Sequence, residues 1–313
     1  MTPTLNDIRT ASQRIKPYAH RTPVLTNESL NFKVGAQVFL KCENLQKVGA
    51  FKFRGACNAV YSLPDEEAIR GVCTHSSGNH AQALALAARI RGIPAYIIMP
   101  SNAPAVKKNA VAGYGGSITF CEPTLEARES TMDRIRLETG AIVVHPYNDE
   151  RVISGQGTAA MELLEDVPDL DVIITPVGGG GLLSGTAIAA TELKVGIRVI
   201  AGEPEMADDA FRSLQAGKII PSENPKTIAD GLLTSLGSLT FPIIQKRVEQ
   251  IVTVSEAGII ETMKYVWERA KIIIEPSSAV AVGVLWEKKI DLGGLKVGVI
   301  LSGGNVDLEK LPW

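Results

Sequence analysis

The sequence predicts an α/β protein built from open, twisted, mostly parallel sheets with helices on both faces, and three observations lead there. Short β-rich runs alternate with helical stretches along almost all of the 313 residues, and strands that alternate with helices pair in parallel through crossovers. Several runs end in Ser, Gly or Asn where the next helix should start, as in THSSGNH, TPVGGGGLLSG and LSGGN; in open α/β sheets that carboxyl edge binds ligands. The length is more than a single core usually fills, which leaves one large domain or two lobes around a cleft. With no low-complexity segment, charge block, repeat or flexible linker in view, any two lobes must be interleaved.

In chain order the strand candidates are QVFLKCE (37–43), GVCTHSS (71–77), AYIIMP (95–100), SITFC (117–121), IVVHPY (142–147), DVIITPVGG (171–179), RVIAGEP (198–204), QIVTVS (250–255) and VGVILSGG (297–304). Between most of them lie stretches such as HAQALALAARIRG and QGTAAMELLEDV, whose Ala, Leu and Glu content suits helices.

Composition narrows the partners. Hydrophobic residues make up 45% and charged residues 21%, and the net charge of -2 offers no basic field for nucleic acid, which favours a small molecule. The polar amino terminus has no apolar core of a signal peptide, and no apolar run reaches the ~18 residues of a membrane span. A soluble, cytoplasmic protein is expected. Cys42, Cys57, Cys73 and Cys121 form no CxxC pair and no cluster with the four histidines, so they read as reduced, mostly buried thiols.

Four stretches carry chemistry. In VGAFKFRGAC, Lys52 sits between Phe51 and Phe53; such a lysine is either a snorkelling surface residue or a buried amine kept for reaction. In VGGGGLLSG, the glycines Gly178, Gly179, Gly180 and Gly181 follow a strand and open a helix. They cost backbone entropy and contribute no packing, so a cradle whose N–H groups converge on a phosphate is favoured over a tight packing turn. A dinucleotide site competes, because Gly179-x-Gly181-x-x-Ser184 approximates GxGxxG and Glu203 lies about 20 residues on. The third glycine is missing, however, and no Lys-Ser/Thr follows for a P-loop. In THSSGNHAQ, Ser77 and Asn79 are either turn and capping residues or ligand contacts, and in ILSGGNVD Ser302 has the same two readings.

An apolar-flanked amine, a one-phosphate cradle and small polar groups at three strand ends match the needs of pyridoxal phosphate. Over essentially the whole chain the sequence resembles the fold type II pyridoxal phosphate enzymes, two-lobed and like tryptophan synthase β. It is most similar to their serine racemase and threonine/serine dehydratase branch. The resemblance is carried, in order, by KCENLQKVGAFKFRGA, HSSGNHAQ, HPYNDERVISGQGTAA, VGGGGLLSG, GEPEMADDA, TIADG, IEPSSAV and SGGNVD.

The resemblance implies Lys52 as the Schiff-base lysine, Asn79 as the partner of the ring O3′, Gly178 to Gly181 as the phosphate loop and Ser302 facing the pyridine nitrogen. A hydroxyl there makes the ring a weaker electron sink than a carboxylate would, which suits proton transfer and elimination. Ser77 matches the second acid/base of serine racemases, on the face opposite Lys52, whereas many threonine dehydratases carry alanine there; 3-hydroxyaspartate dehydratases share SSGNHAQ. The reaction implied is interconversion of L- and D-serine accompanied by elimination to pyruvate and ammonia. The alternative is an L-threonine/L-serine or 3-hydroxyaspartate dehydratase that does not racemise. Ser76, Ser77, Asn79, His80, Arg128 and Thr234 are the implied substrate contacts, Arg128 reading equally as an exposed helical residue.

In GEPEMADDA, Glu203, the Ala207 carbonyl and Asp209 are the implied ligands of a hard divalent cation, Mg²⁺ or Ca²⁺ with Mn²⁺ as the alternative. Two departures bear on substrate: Tyr147 and Thr234 stand where animal serine racemases have asparagine and serine. The chain ends at Trp313, so feedback control by an appended regulatory domain is not expected. The lobes implied are a small one of 65–147 and a large one of 1–64 and 148–313, closing on the substrate. The partners implied are an amino-acid substrate, a second copy in a homodimer and a nucleotide effector, with no nucleic acid and no membrane.

Overall fold

The computed structural model describes residues 2–103 and 105–313 and contains two sheets. The strands are β1 (Val24–Thr26), β2 (Gln37–Cys42), β3 (Val72–His75), β4 (Ala95–Pro100), β5 (Ser117–Cys121), β6 (Ile142–Val143), β7 (Val172–Pro176), β8 (Arg198–Pro204), β9 (Gln250–Val254) and β10 (Lys296–Leu301). Six of them form one sheet in the order β1-β2-β10-β7-β8-β9, and four form the other in the order β5-β4-β3-β6. All pairings are parallel except that of β1 with β2. The central strands β10, β7 and β8 are buried almost throughout, as parallel strands with both faces covered must be. One face of the larger sheet packs its apolar core on the helices Glu256–Tyr265 and Pro276–Trp286, the other on Glu150–Asp166 and Gly181–Leu193. The smaller sheet shares its core with the helices Lys52–Tyr61 and Asn79–Arg91. Among the described residues no helix is long and apolar enough to cross a membrane.

Two strand expectations are corrected. β1 adds to the expected strands, because its three residues, VLT, show no usable period. The run 142–147 is a strand only over its first two residues. Beyond it, the His145 ring Nδ1 accepts from the backbone N–H groups of Tyr147 (3.3 Å) and Asn148 (2.9 Å), which curls the chain out of the ladder.

Two features position the helices that flank the site. The helix Glu150–Asp166 crosses two neighbours at glycines: a Cβ on Gly155 would lie 2.6 Å from the Arg54 carbonyl oxygen and the Gly55 Cα, and one on Gly157 would lie 2.8 Å from the Gly185 carbonyl oxygen. Nothing larger than hydrogen fits at either crossing without moving backbone. Beside the first crossing lies a buried ionic cluster. Arg54, with no solvent exposure, binds Glu43 through Nε and Nη2 (2.7 and 2.8 Å) and Glu162 through Nη1 and Nη2 (2.8 and 2.7 Å), while Lys41 Nζ reaches Glu162 at 2.7 Å. Two cations face two carboxylates, so the cluster is neutral and hydrogen-bonded, the condition under which buried charge is tolerated.

Candidate active site

The site is assembled at the carboxyl ends of β3, β7 and β10. After β2 the chain makes two short turns in which Val48 adopts φ 56, a costly conformation for a β-branched residue. Its carbonyl is held there by Asn305 Nδ2 at 2.7 Å. Residues 49–51 then pair with 302–304: Phe51 N–H donates to the Ser302 carbonyl (3.0 Å), Gly304 N–H to the Gly49 carbonyl (2.9 Å), and Ala50 bridges Gly303. This pairing brings Lys52, first residue of its helix, beside the buried Ser302 at the end of β10.

The Lys52 Nζ donates to the Pro146 carbonyl at 2.9 Å and lies 5.1 Å from the Phe51 ring centroid. Burial pushes its pKa down to about 8, opposed by the carboxylate of Glu275, so the amine is far more available than an ordinary lysine's. His80 and His145 are both kept neutral by burial, at about 3 and about 4, and the Lys52 charge contributes to each depression.

Asn79 opens its helix and faces Lys52's neighbours. Its Nδ2 donates to both Glu275 oxygens (3.0 and 3.1 Å) and its Oδ1 accepts from Asn305 Nδ2 (2.9 Å). Glu275, buried, is raised to about 7, chiefly by desolvation, with the Asn79 and Asn305 hydrogen bonds opposing. Ser76 Oγ accepts from Gly78 N–H at 3.3 Å, and Ser77 is half-buried in the same turn. His80 Nε2 meets the Val144 carbonyl at 3.1 Å while its Nδ1 is buried without a partner. Arg128 lies near His75, the last residue of β3, since its charge lowers that histidine's pKa, and its Nε is buried and unpaired.

The glycine run follows β7. Gly180 has φ 87, and Gly181 begins the helix Gly181–Leu193, whose first amides have no intrahelical acceptor and whose dipole favours an anion. Gly179 must be glycine for a second reason: a Cβ there would lie 2.4 Å from the ring of Tyr147. A half-buried amine of lowered pKa, a helix-terminal glycine cradle and the buried Ser302 are the donor set that pyridoxal phosphate requires, and these residues fit it.

Beyond β8, Glu203 accepts from the backbone N–H groups of Ala210 (2.8 Å) and Phe211 (2.7 Å), and Ala207 closes a short turn ahead of Asp209. Burial raises Glu203 to about 9 and Asp209 to about 6, and Asp209 Oδ2 is buried with no hydrogen bond. Thr234, exposed, and Asp209 both act electrostatically on the phenol of Tyr147. The two departures noted separately in the sequence are thus neighbours in space. Glu275 carries no such signal: before Pro276 it reads as an ordinary helix-preceding acid.

Comparisons with known proteins place the chain among characterised relatives. A family model described as pyridoxal-phosphate dependent enzyme matches residues 15–303. The chain is 52% identical over 311 residues to a beta-hydroxyaspartate dehydratase of Paracoccus denitrificans, covering 99% of each. It is also 52% identical over 317 residues to a serine racemase of Dictyostelium discoideum, covering 99% of this chain and 97% of that one. The structure of maize serine racemase superposes with a TM-score of 0.97 at 47% identity, covering 99% of this chain and 95% of that one. A family match over residues 15–303, which span both sheets, and relatives at 52% identity over 99% of the chain lead to one conclusion: the chain belongs to the family of pyridoxal-phosphate dependent enzymes, with the fold type II architecture.

Proposed function

We propose that the protein is a pyridoxal phosphate-dependent serine racemase that also eliminates water from serine to give pyruvate and ammonia. The observation that carries the reading is the half-buried amine of Lys52, lowered in pKa by desolvation and carried by the residue after the Phe51–Ser302 backbone bond, joined to a serine at position 77 in the turn after β3. When bound, the cofactor delocalises the negative charge left on the substrate Cα. Lys52 removes and returns the Cα proton on one face, and Ser77 does so on the other. Arg128, with Ser76, Asn79 and His80, holds the substrate carboxylate, and the amides of Gly178, Gly179, Gly180 and Gly181 hold the phosphate. Residues 65–147 act as a small lobe that closes on the large lobe of 1–64 and 148–313 and excludes water. A homodimer, a nucleotide effector and a cytoplasmic setting complete the proposal.

Ser77→Ala should abolish interconversion of L- and D-serine while leaving pyruvate release from L-serine largely intact, because elimination needs a base on the lysine face only. Chiral chromatography of serine beside a coupled pyruvate assay reads both. Wild-type protein that releases pyruvate but forms no D-serine would transfer it to the dehydratases of L-threonine, L-serine or 3-hydroxyaspartate, and a protein that binds amino acids without turnover would be a sensor.

Glu203, Asp209 and the Ala207 carbonyl are proposed to hold Mg²⁺, Ca²⁺ or Mn²⁺; two buried carboxylates of raised pKa, one with a bare oxygen, suit a cation. At a hundredfold excess over its dissociation constant the ion should add about 2.7 kcal/mol of stability. Glu203→Gln and Asp209→Asn should remove that increment, and chelation that changes neither Tm nor rate would reject the site.

A further inference from the structure

The turn 145–148 spans two fixed points of backbone. Val144 is anchored twice before it, its N–H donating to the Cys73 carbonyl (2.9 Å) and its own carbonyl meeting His80 Nε2 (3.1 Å). After it, the Asp149 carboxylate caps the helix Glu150–Asp166 by accepting from Arg151 N–H at 2.8 Å. Between these points the chain passes the amine, because the Pro146 carbonyl accepts from Lys52 Nζ at 2.9 Å. Proline has no N–H, so residue 146 cannot hold itself in place through a backbone donor. The hold comes from His145, whose Nδ1 receives the N–H groups of Tyr147 (3.3 Å) and Asn148 (2.9 Å) and so closes the turn around Pro146.

Two backbone N–H groups can only donate, so Nδ1 carries no proton and the neutral ring keeps its hydrogen on Nε2. The ring plane is fixed as well. It stands edge-on to His75 (6.2 Å between centroids) and to Tyr147 (4.6 Å), with an interplanar angle of 90° in each case. Burial, then the charges of His75 and Lys52, bring the His145 pKa down to about 4 against the opposing Asp149 carboxylate, so the acceptor persists across the neutral range. The turn is braced on its far side too: Asn148 Oδ1 accepts from Leu239 N–H (2.8 Å), and the next residue, Thr240, donates through Oγ1 to the Gly179 carbonyl (2.8 Å). One connected set of bonds therefore holds both the acceptor for the amine and the glycine cradle.

We propose that His145 is a positioning residue for proton transfer: its Nδ1 holds the Pro146 carbonyl where the Lys52 amine donates to it. The proposal rests on the reading of Lys52 as the base. An amine that removes the Cα proton becomes an ammonium with three donors, and a carbonyl already 2.9 Å away accepts one of them without rearrangement. Charge-assisted hydrogen bonds are about twice as strong as neutral ones, so the carbonyl favours the ammonium over the amine that preceded it. His145 acts through this carbonyl and transfers no proton itself.

The test sets three variants against wild type. His145→Asn puts a side-chain oxygen where Nδ1 stands, able to accept from the N–H two residues on as asparagine does in turns. His145→Gln presents its polar atoms where Nε2 stands, and His145→Phe presents none. In the cofactor-free chain, hydrogen exchange at the Tyr147 and Asn148 amides should quicken about 10-fold in His145→Phe and His145→Gln and stay near wild type in His145→Asn. In holoenzyme, kcat per cofactor-loaded site for pyruvate release from L-serine should fall about 10-fold in the same two variants, with KM within about 2-fold of wild type, and His145→Asn should recover most of the loss. Amides that exchange equally in all four proteins overturn the clasp. Faster exchange with kcat unchanged overturns its part in proton transfer and leaves the proposed function standing. Wild-type holoenzyme that forms neither pyruvate nor D-serine from L-serine overturns that function, and the positioning role with it, whatever the amides show.

Discussion

Lys52→Ala should lower kcat by about 10⁴-fold and remove the visible absorbance that borohydride bleaches in the loaded protein, since both depend on one amine. The amine also sets a pH dependence. With its pKa at about 8, well below the ordinary 10.5, it is an ammonium without a lone pair below that point. Capture of pyridoxal phosphate by cofactor-free protein should therefore quicken as pH rises and level off above about 8. The same depression is a stability cost in the cofactor-free chain. It is complete below about 8, where both folded and unfolded forms carry the proton, and it fades towards 10.5, where the unfolded lysine loses its proton too. Stopped-flow absorbance across that range checks the first statement. A capture rate still climbing steeply at pH 10 would mean that the amine is an ordinary exposed lysine. Purified, cofactor-replete protein without the band would reject the reading of Lys52 altogether.

Arg54→Met should destabilise the fold by about 3–5 kcal/mol, because it removes one partner from a buried ionic cluster and leaves charge uncompensated. All three guanidinium nitrogens are engaged: Nε with Glu43, Nη1 with Thr158 (3.1 Å) and Glu162, Nη2 with Glu43 and Glu162. Arg54→Lys should recover little, since a single ammonium cannot span two carboxylates held in a planar fork. Denaturant titration at pH 7 measures both variants. A loss below about 1 kcal/mol for Arg54→Met would place the cluster with ordinary surface ion pairs. The consequence reaches the chemistry, because Arg54 is two residues from Lys52 on the same helix.

The fold was legible wherever an apolar β-rich run is bounded by turn residues, whether buried like β4 and β8 or part-exposed like β5. AYIIMP, SITFC and RVIAGEP begin and end where the sequence puts them, since apolar β-rich runs bounded by turn residues have few other uses. Legibility failed where a side chain, not a period, decides the backbone. His145 ends β6 by taking two N–H groups, and nothing in IVVHPY marks the histidine as an acceptor. Lys52 and the glycine run stood out because their composition is hard to explain as packing. Glu275 did not, because its meaning comes from Asn79 and Asn305, 196 and 30 residues away in the chain. Tyr147 and Thr234 lay between these cases. Each was visible as a departure, and only folding makes them a pair.

The two glycine crossings of the helix Glu150–Asp166 act as a caliper. One jaw grips the helix that begins at Lys52, the other the helix that begins at Gly181, and the jaws are set two residues apart at Gly155 and Gly157. Between the amine and the anion cradle must fit a molecule of fixed length, whose aldehyde carbon and phosphate cannot be moved relative to each other by more than bond rotation permits. Backbone against backbone, backed at Gly157 by the Ile8 side chain, is a stiff way to hold such a gap. A methyl at either jaw would meet backbone at 2.6 or 2.8 Å and force the helices apart, and the gauge would no longer read the length of its cofactor.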